Sequence, residues 1–487
     1  SWSGSLQYSG NWRVDFEKYA SGEVQVTSGV NYWDQSVTLK AGQSMVTPKF
    51  VIGYTEGGME SVSLNLASYT RDQIIHPNYR KMVRPVLYNS WYATTFDVNE
   101  QHQLELAKIA KEIGVEVFVI DDGWFKGRVS DKAGLGDWTV DKKKFPNGLK
   151  SLIDKVNAMG LEFGIWIEPE MVNPNSDLYR SHPDWVLHYP NRTLHEGRNQ
   201  LVLNLAREDV YQYLYKSFSA LLRENNIRYI KWDMNRPLAD PGFPACEVED
   251  QRAVRIKYVD NLYRLLTALR TEFPDVWFEN CASGGGRIDL GIMQLTDCNW
   301  VSDNTDPIDR TLIQYSYLNA FPANTMISWV TQEDWHRQHP SLEFKFDVAM
   351  SGVLGIGYDI TKWNDEEKEL ARKKIAQFKS IRETVHRGNL YRLVSPFETN
   401  RSVLQYVNES GSESVVFVYN LAEYLENAVS KTAASPIVRL RGLQETAKYR
   451  VEGSETVYTG KMLMNVGVDF SLRGAYKSRI IRLIRVN

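Results

Sequence analysis

The chain has 487 residues, 43% of them hydrophobic and 24% charged, with a net charge of −3 at pH 7. That is a globular composition long enough for two or three domains; its mild acidity argues against a nucleic-acid footprint, and no apolar run reaches the roughly 18 residues of a membrane span. Three cysteines, Cys246, Cys281 and Cys298, are too few for a disulfide framework and lack metal-ligand spacing.

The chain opens Ser1-Trp-Ser-Gly, without Met and without a charged-then-apolar leader. It reads as a start inside a domain, with residues expected upstream, and a cytoplasmic location is the expectation. Residues 1–80 alternate polar and apolar positions in stretches such as Asn11-Trp-Arg-Val-Asp-Phe, Glu23-Val-Gln-Val and Gln35-Ser-Val-Thr-Leu, broken by Gly, Ser and Asn turns. They are read as the closing half of a β-sandwich.

From residue 81 to 390 the texture changes to strands alternating with amphipathic helices. Pro85-Val-Leu-Tyr-Asn-Ser-Trp91 precedes a helix in which Leu106, Ile109, Ala110 and Ile113 share one face. Val115 to Ile120 is a buried strand ending in Asp121-Asp122, and Leu161 to Ile167 a third ending in Glu168-Pro-Glu170. The fourth, Ile227 to Ile230, runs into Lys231-Trp-Asp-Met-Asn235. Four more follow, at Val276 to Cys281, Asn299 to Asp303, Thr325 to Val330 and Gly352 to Asp359. Eight strands alternating with eight helical patterns predict a closed (β/α)8 barrel, with an open doubly wound sheet as the alternative. From residue 391 to 487 alternating β texture returns and predicts a C-terminal antiparallel sandwich.

In such barrels the chemistry sits at the carboxyl ends of the strands. Taken in order, those ends carry Trp91; Asp121 and Asp122; Trp166 and Glu168; Lys231, Asp233 and Asn235; Cys281; Asp303; and Asp359. Lys231 beside Asp233 would by itself read as a structural ion pair, because a charge at a buried strand end is expensive unless it is paired or used. The other acidic ends turn that pair into part of a ring. Two carboxylates with polar and aromatic neighbours fit glycoside hydrolysis. Metal binding by Asp121 and Asp122 alone is the minor alternative, since no P-loop, HExxH or paired His accompanies them.

Asp303 and Asp306 share one stretch but differ in their local need. Asp306 precedes Pro307 and reads as a helix N-cap, which explains it structurally. Asp303 has no such explanation and is the candidate for chemistry. Gly284-Gly-Gly-Arg287 lacks a following Lys-Ser/Thr, so it reads as a tight turn rather than a phosphate loop. Cys281 has no nearby His and reads as a small packing group.

Three motifs in order, Lys231-Trp-Asp-Met-Asn-Arg236, Cys281-Ala-Ser-Gly-Gly-Gly-Arg287 and Trp300-Val-Ser-Asp-Asn-Thr-Asp306, resemble glycoside hydrolase family 36, the bacterial α-galactosidases. The resemblance implies retaining, exo-acting hydrolysis of terminal α-galactosides such as melibiose or raffinose. Asp233 would be the nucleophile and Asp303 the acid/base, with carboxyls about 5 Å apart. It makes Asp121 and Asp122 ligands of the 4- and 6-hydroxyls, Trp91 and Trp166 pocket walls, and Arg198, Lys231 and Asn235 substrate contacts. Cys281 and Gly284 would meet the sugar's 2-position. It implies no cofactor and no metal, a carbohydrate substrate without nucleic acid or membrane, and a homo-oligomer, dimer or tetramer. An α-N-acetylgalactosaminidase is the nearest rival and a galactosyl transferase a weaker one. Outside this chemistry stand a sugar-binding protein on an inactive barrel and a metal-dependent isomerase or aldolase. One departure stands out: where relatives carry His in a Met-x-x-His-Val context, this chain reads Met326-Ile-Ser-Trp-Val330.

Overall fold

Short runs of Val, Ile, Phe and Trp form eight parallel strands whose residues are almost all buried, as expected of strands covered on both faces. In the computed structural model, which describes residues 1–334, 339–422 and 436–486, they are Leu87–Asn89, Val117–Ile120, Glu162–Ile167, Tyr229–Trp232, Trp277–Asn280, Cys298–Trp300, Met326–Thr331 and Val353–Gly357. They close into one barrel, the eighth strand pairing with the first through Gly355–Leu87 and Ile356–Tyr88. The predicted closed barrel therefore forms, rather than the open doubly wound sheet.

Local chemistry sets the helix boundaries. Asn99 caps Glu100–Ile113 by accepting from the His102 N–H, and Gly114 ends that helix in the left-handed region at φ 101°. Asp306 accepts from the N–H groups of Ile308 and Asp309 at the start of Pro307–Tyr317, as its position before Pro predicts. Asn364 and Glu367 form a reciprocal capping box on Asp365–Arg387.

The expectation of eight helical layers fails at one place. After the fifth strand the described chain makes only a short 3-10 turn, Ile292–Gln294, before the sixth strand. That connection begins with Gly284-Gly-Gly and contains Gly291, and glycine disfavours a helix. The Gly-rich segment instead lies folded against the barrel mouth.

The N-terminal region also differs from an all-β reading. Trp2–Leu6 pairs antiparallel with Phe50–Tyr54, and Trp12–Lys18 with Val24–Val30, but Gln35 to Leu39 is not a strand. Met59–Tyr69 is a helix continued by a wider turn, Thr70–Ile74. Val62, Leu66 and Tyr69 fall at i, i+4 and i+7, a helical signal that the surrounding β texture masks.

Beyond the barrel, six strands form an antiparallel sheet ordered Asn389–Val394, Arg401–Val407, Glu413–Asn420, Lys477–Val486, Lys448–Val451, Val457–Thr459. Period-two alternation splits its apolar residues between two cores. Val403, Val416, Val418 and Leu483 pack with Leu440, Leu463 and Phe470 in a core of their own, whereas Leu404, Tyr406, Val415 and Phe417 belong to the barrel's core. Two buried hydroxyls complete the joint: Tyr406 donates to the Ser351 carbonyl at 2.7 Å and Tyr419 to that of Asp347 at 3.0 Å. No helix among the described residues is long and apolar enough to cross a membrane.

Candidate active site

The strand ends converge on a cavity of about 220 Å³ lined by Trp91, Tyr92, Asp121, Asp122, Trp166, Arg198, Lys231, Asp233, Asn235, Cys281, Trp300 and Asp303. Ten of the residues expected from the sequence are therefore wall residues. The eleventh, Gly284, stands behind the wall. It adopts φ 80°, and a Cβ there would lie 2.9 Å from the Asp303 N and the Ser302 Cα. Its role in the structure is to let the fifth-strand loop touch the backbone that carries Asp303. A larger cleft of about 700 Å³ runs alongside, lined by Tyr8, Trp12, Leu238 and Arg287 among others, and shares only Asn235 with the cluster.

Lys231 is the electrostatic centre. It points into the barrel from the fourth strand, 4% exposed, with its Nζ 2.9 Å from Asp121 Oδ2 and 3.8 Å from the centre of the Trp300 ring. Burial works against its charge, but Asp121 and the surrounding acids overcome it and hold the ammonium above its usual range. Asn89 donates to the same Asp121 oxygen at 2.6 Å. Asp122 is held in a bidentate grip by Arg128, at 2.9 and 2.7 Å, with both side chains fully buried. Burial nevertheless outweighs Arg128, and the Asp122 carboxyl lies above its usual range. Both acids are thus committed to side-chain cations, which argues against the carboxylate-only metal alternative.

Asp233 is aligned by its own neighbours. Its Oδ2 accepts from Trp166 Nε1 at 3.1 Å and Asn235 Nδ2 at 2.8 Å, and its Oδ1 from the Met234 N–H at 2.8 Å. Burial pushes this carboxyl up, but Lys231 and the hydrogen bonds from Cys281, Asn235 and Trp166 prevail and hold it below the usual range. Asp303 stands at the exposed rim. Its carboxyl is raised, first by partial burial and then by the charge of Asp233, against the opposing pull of Lys231 and Arg198. Two carboxyls whose environments drive them in opposite directions make a base-like and an acid-like partner.

Some members of the ring leave it and others join. Asp359 does not line the cavity; it caps the short helix Ile360–Lys362 and pairs with Lys362 at 2.9 Å. Glu168 lies beneath the floor, and burial with the nearby Asp233 charge raises it to about 8. Tyr92 and Trp300 join the wall beyond the strand-end ring; Tyr92 follows Trp91 directly. Trp300 opens the sixth-strand motif, so its place beneath Lys231 was within reach of the sequence. Trp329, the departure in the seventh strand, sits behind Trp300 with ring centres 4.6 Å apart and 3% exposed. A Cβ on Gly355 would come within 2.6 Å of the Trp329 ring, so that glycine makes its room.

Comparison with known proteins agrees with this geometry. The melibiase family profile matches residues 44–388, and the glycosyl hydrolase family 36 C-terminal domain matches residues 401–483. Alpha-galactosidase AgaA of Geobacillus stearothermophilus is 40% identical over 473 residues, 97% of this chain and 64% of its own length. Alpha-galactosidase Mel36A of Lactobacillus acidophilus is 36% identical over 99% of this chain and 65% of its own. The chain thus spans just under two thirds of the length of these relatives. Crystal structures of AgaA and of the alpha-galactosidase from Lactobacillus brevis superpose over the whole chain with TM-scores of 0.95, at 40% and 34% identity, and 67% and 66% of those chains are covered. On its barrel, its C-terminal sheet and these matches, the chain belongs to glycosyl hydrolase family 36.

Proposed function

We propose that the protein is a retaining, exo-acting α-galactosidase that removes terminal α-linked galactose through a covalent galactosyl-enzyme. The observation that carries this reading is the opposed pair of carboxyls in one small cavity, Asp233 drawn below the usual carboxylate range and Asp303 pushed above it. In the first step Asp233 attacks the anomeric carbon as Asp303 gives its proton to the departing glycosidic oxygen. In the second, Asp303 takes a proton from water, whose oxygen displaces Asp233 and restores the α configuration.

The rest of the wall suits the substrate. Asp121 and Asp122 offer carboxylate oxygens to sugar hydroxyls, and Trp91 and Trp166 offer ring faces or edges. Lys231, Asn235 and Arg198 supply donors. A volume of about 220 Å³ falls below the roughly 300 Å³ at which drug-sized sites begin, which suits one terminal ring rather than an internal one. Structures of AgaA variants from Geobacillus stearothermophilus have been solved in complex with raffinose and with stachyose, and this family likeness favours such oligosaccharides as substrates here.

The test is release of p-nitrophenol from the α-galactoside, the α-N-acetylgalactosaminide and the β-galactoside by the protein and by Asp233→Ala. The expected result is preference for the α-galactoside, with Asp233→Ala lowering kcat by at least about a thousandfold. Equal activity of the variant rejects the nucleophile, and preference for the β-anomer rejects the reading.

A further inference from the structure

Glu168 is fully buried at the end of the third barrel strand, a costly place for a carboxyl beside Asp233. Its two oxygens are spent on two different parts of the site. Oε1 accepts from the Asn235 backbone N–H at 2.6 Å, and Oε2 accepts from Gln200 Nε2 at 2.9 Å. Asn235 in turn donates its side chain to Asp233 Oδ2. The first oxygen therefore grips the segment that orients Asp233.

The second oxygen grips a hairpin. Gly197 and Gln200 exchange backbone hydrogen bonds at 3.1 and 3.0 Å around Arg198 and Asn199, whose φ angles are 54° and 59°. Two successive positive φ values mark a turn that suits Asn but strains Arg, and Arg198 is the residue of that turn which reaches the cavity. Asn173 Nδ2 also holds the turn by donating to the Asn199 carbonyl at 2.7 Å, and Arg236 Nη1 holds the Gln200 carbonyl at 2.6 Å. Gln200 is itself fully buried.

We infer that Glu168 is a positioning residue for the proposed reaction: by tying Gln200 to Asn235 it sets the separation between Arg198, which meets the sugar, and Asp233, which attacks it. The inference rests on the galactosidase reading. Besides burial, the charged groups that face this carboxyl are Asp233 from the fourth strand, Arg198 from the turn and Arg128 from the loop after the second strand. Its protonated preference fits a group chosen for geometry rather than for charge. Gln200 Oε1 has no partner, so the amide can turn to accept if Glu168 carries the proton.

The experiment measures kcat and KM on p-nitrophenyl α-galactoside for Gln200→Ala, Glu168→Ala, Glu168→Gln and the double variant Glu168→Ala/Gln200→Ala. Gln200→Ala frees only the turn and is expected to raise KM about tenfold with kcat within about twofold. Glu168→Ala also frees Asn235 and is expected to lower kcat about a hundredfold. The double variant should be no worse than Glu168→Ala, because one tether cannot be cut twice. Glu168→Gln should restore most activity, since its amide still accepts from Asn235 and donates to a turned Gln200. Additive losses, or parameters unchanged in Gln200→Ala and Glu168→Gln alike together with an active Glu168→Ala, overturn the inference. Wild-type inactivity on every nitrophenyl glycoside rejects the galactosidase reading instead. Amide hydrogen exchange then decides the tie: Glu168→Ala should speed residues 197–200 and 233–236, Gln200→Ala only the first, and unchanged exchange overturns it.

Discussion

At the scale of single residues, the site turns on one buried ammonium. Lys231 draws down the carboxyls of both Asp233 and Asp303. The proposed reaction needs Asp233 ionised and should be lost as pH falls through its depressed pKa; it needs Asp303 protonated and should be lost as pH rises through its raised one. The pH profile of kcat/KM should therefore be a bell between these limits. Lys231→Met removes a downward pull on both groups, so both limbs should move to higher pH. Limbs that stay in place as kcat/KM falls would show that Lys231 acts only by binding substrate. The residues of this circuit were legible because they end strands. Their partners are less so: Arg128 and Gln200 end no strand and carry no motif, and Glu168, though it ends the third strand, takes its importance from contacts 32 and 67 positions away. Asp303 was separable from Asp306 by capping alone, because an N-cap is a local property that a sequence displays.

At the scale of elements, the Gly-rich connection after the fifth strand does what a helix would do elsewhere, and more closely. Gly284 lets its loop sit against the Ser302 and Asp303 backbone. Gly284→Ala adds a Cβ at a left-handed position into backbone that cannot yield like a flexible side chain. The sixth-strand end must shift, and kcat/KM should fall about tenfold or more while the far-ultraviolet circular dichroism stays unchanged. Full activity in this variant would show that the loop tolerates the displacement. The absent helix and the unexpected one at Met59–Tyr69 share a cause: each lies in a stretch whose neighbours set a strong texture of the other kind. Periodicity over a whole domain overshadows the eleven residues that break it.

At the scale of the molecule, the C-terminal sheet is part of the barrel's core rather than an appended unit. Phe417 is fully buried and lies on a sheet strand, yet it packs in the same cluster as the barrel residues. Phe417→Ala should cost about 3–5 kcal/mol, as a large cavity in a close-packed core does. Loss of activity and loss of sheet structure in urea should follow one shared transition, moved to lower denaturant. Two separate transitions would show that barrel and sheet fold independently. Tyr406 and Tyr419 support the cooperative outcome by tying their buried hydroxyls to the Ser351 and Asp347 carbonyls.

The local order of the chain, by itself, determined that there are eight strands and which acids lie at or just beyond their ends, because strand length, period and capping are properties of neighbours in sequence. Three ordered motifs added the family and, through it, an expected role for Asp121, Asp122, Asp233 and Asp303. Only the tertiary structure decided that the barrel closes, that Asp359 is a cap rather than a wall, and that Gly284 works from behind. Only the tertiary structure, too, joined Glu168 to Gln200 and Asn235. Each of these depends on which distant segments share a surface, and that is settled by packing and the pairing of buried charge rather than by the pattern along any one segment.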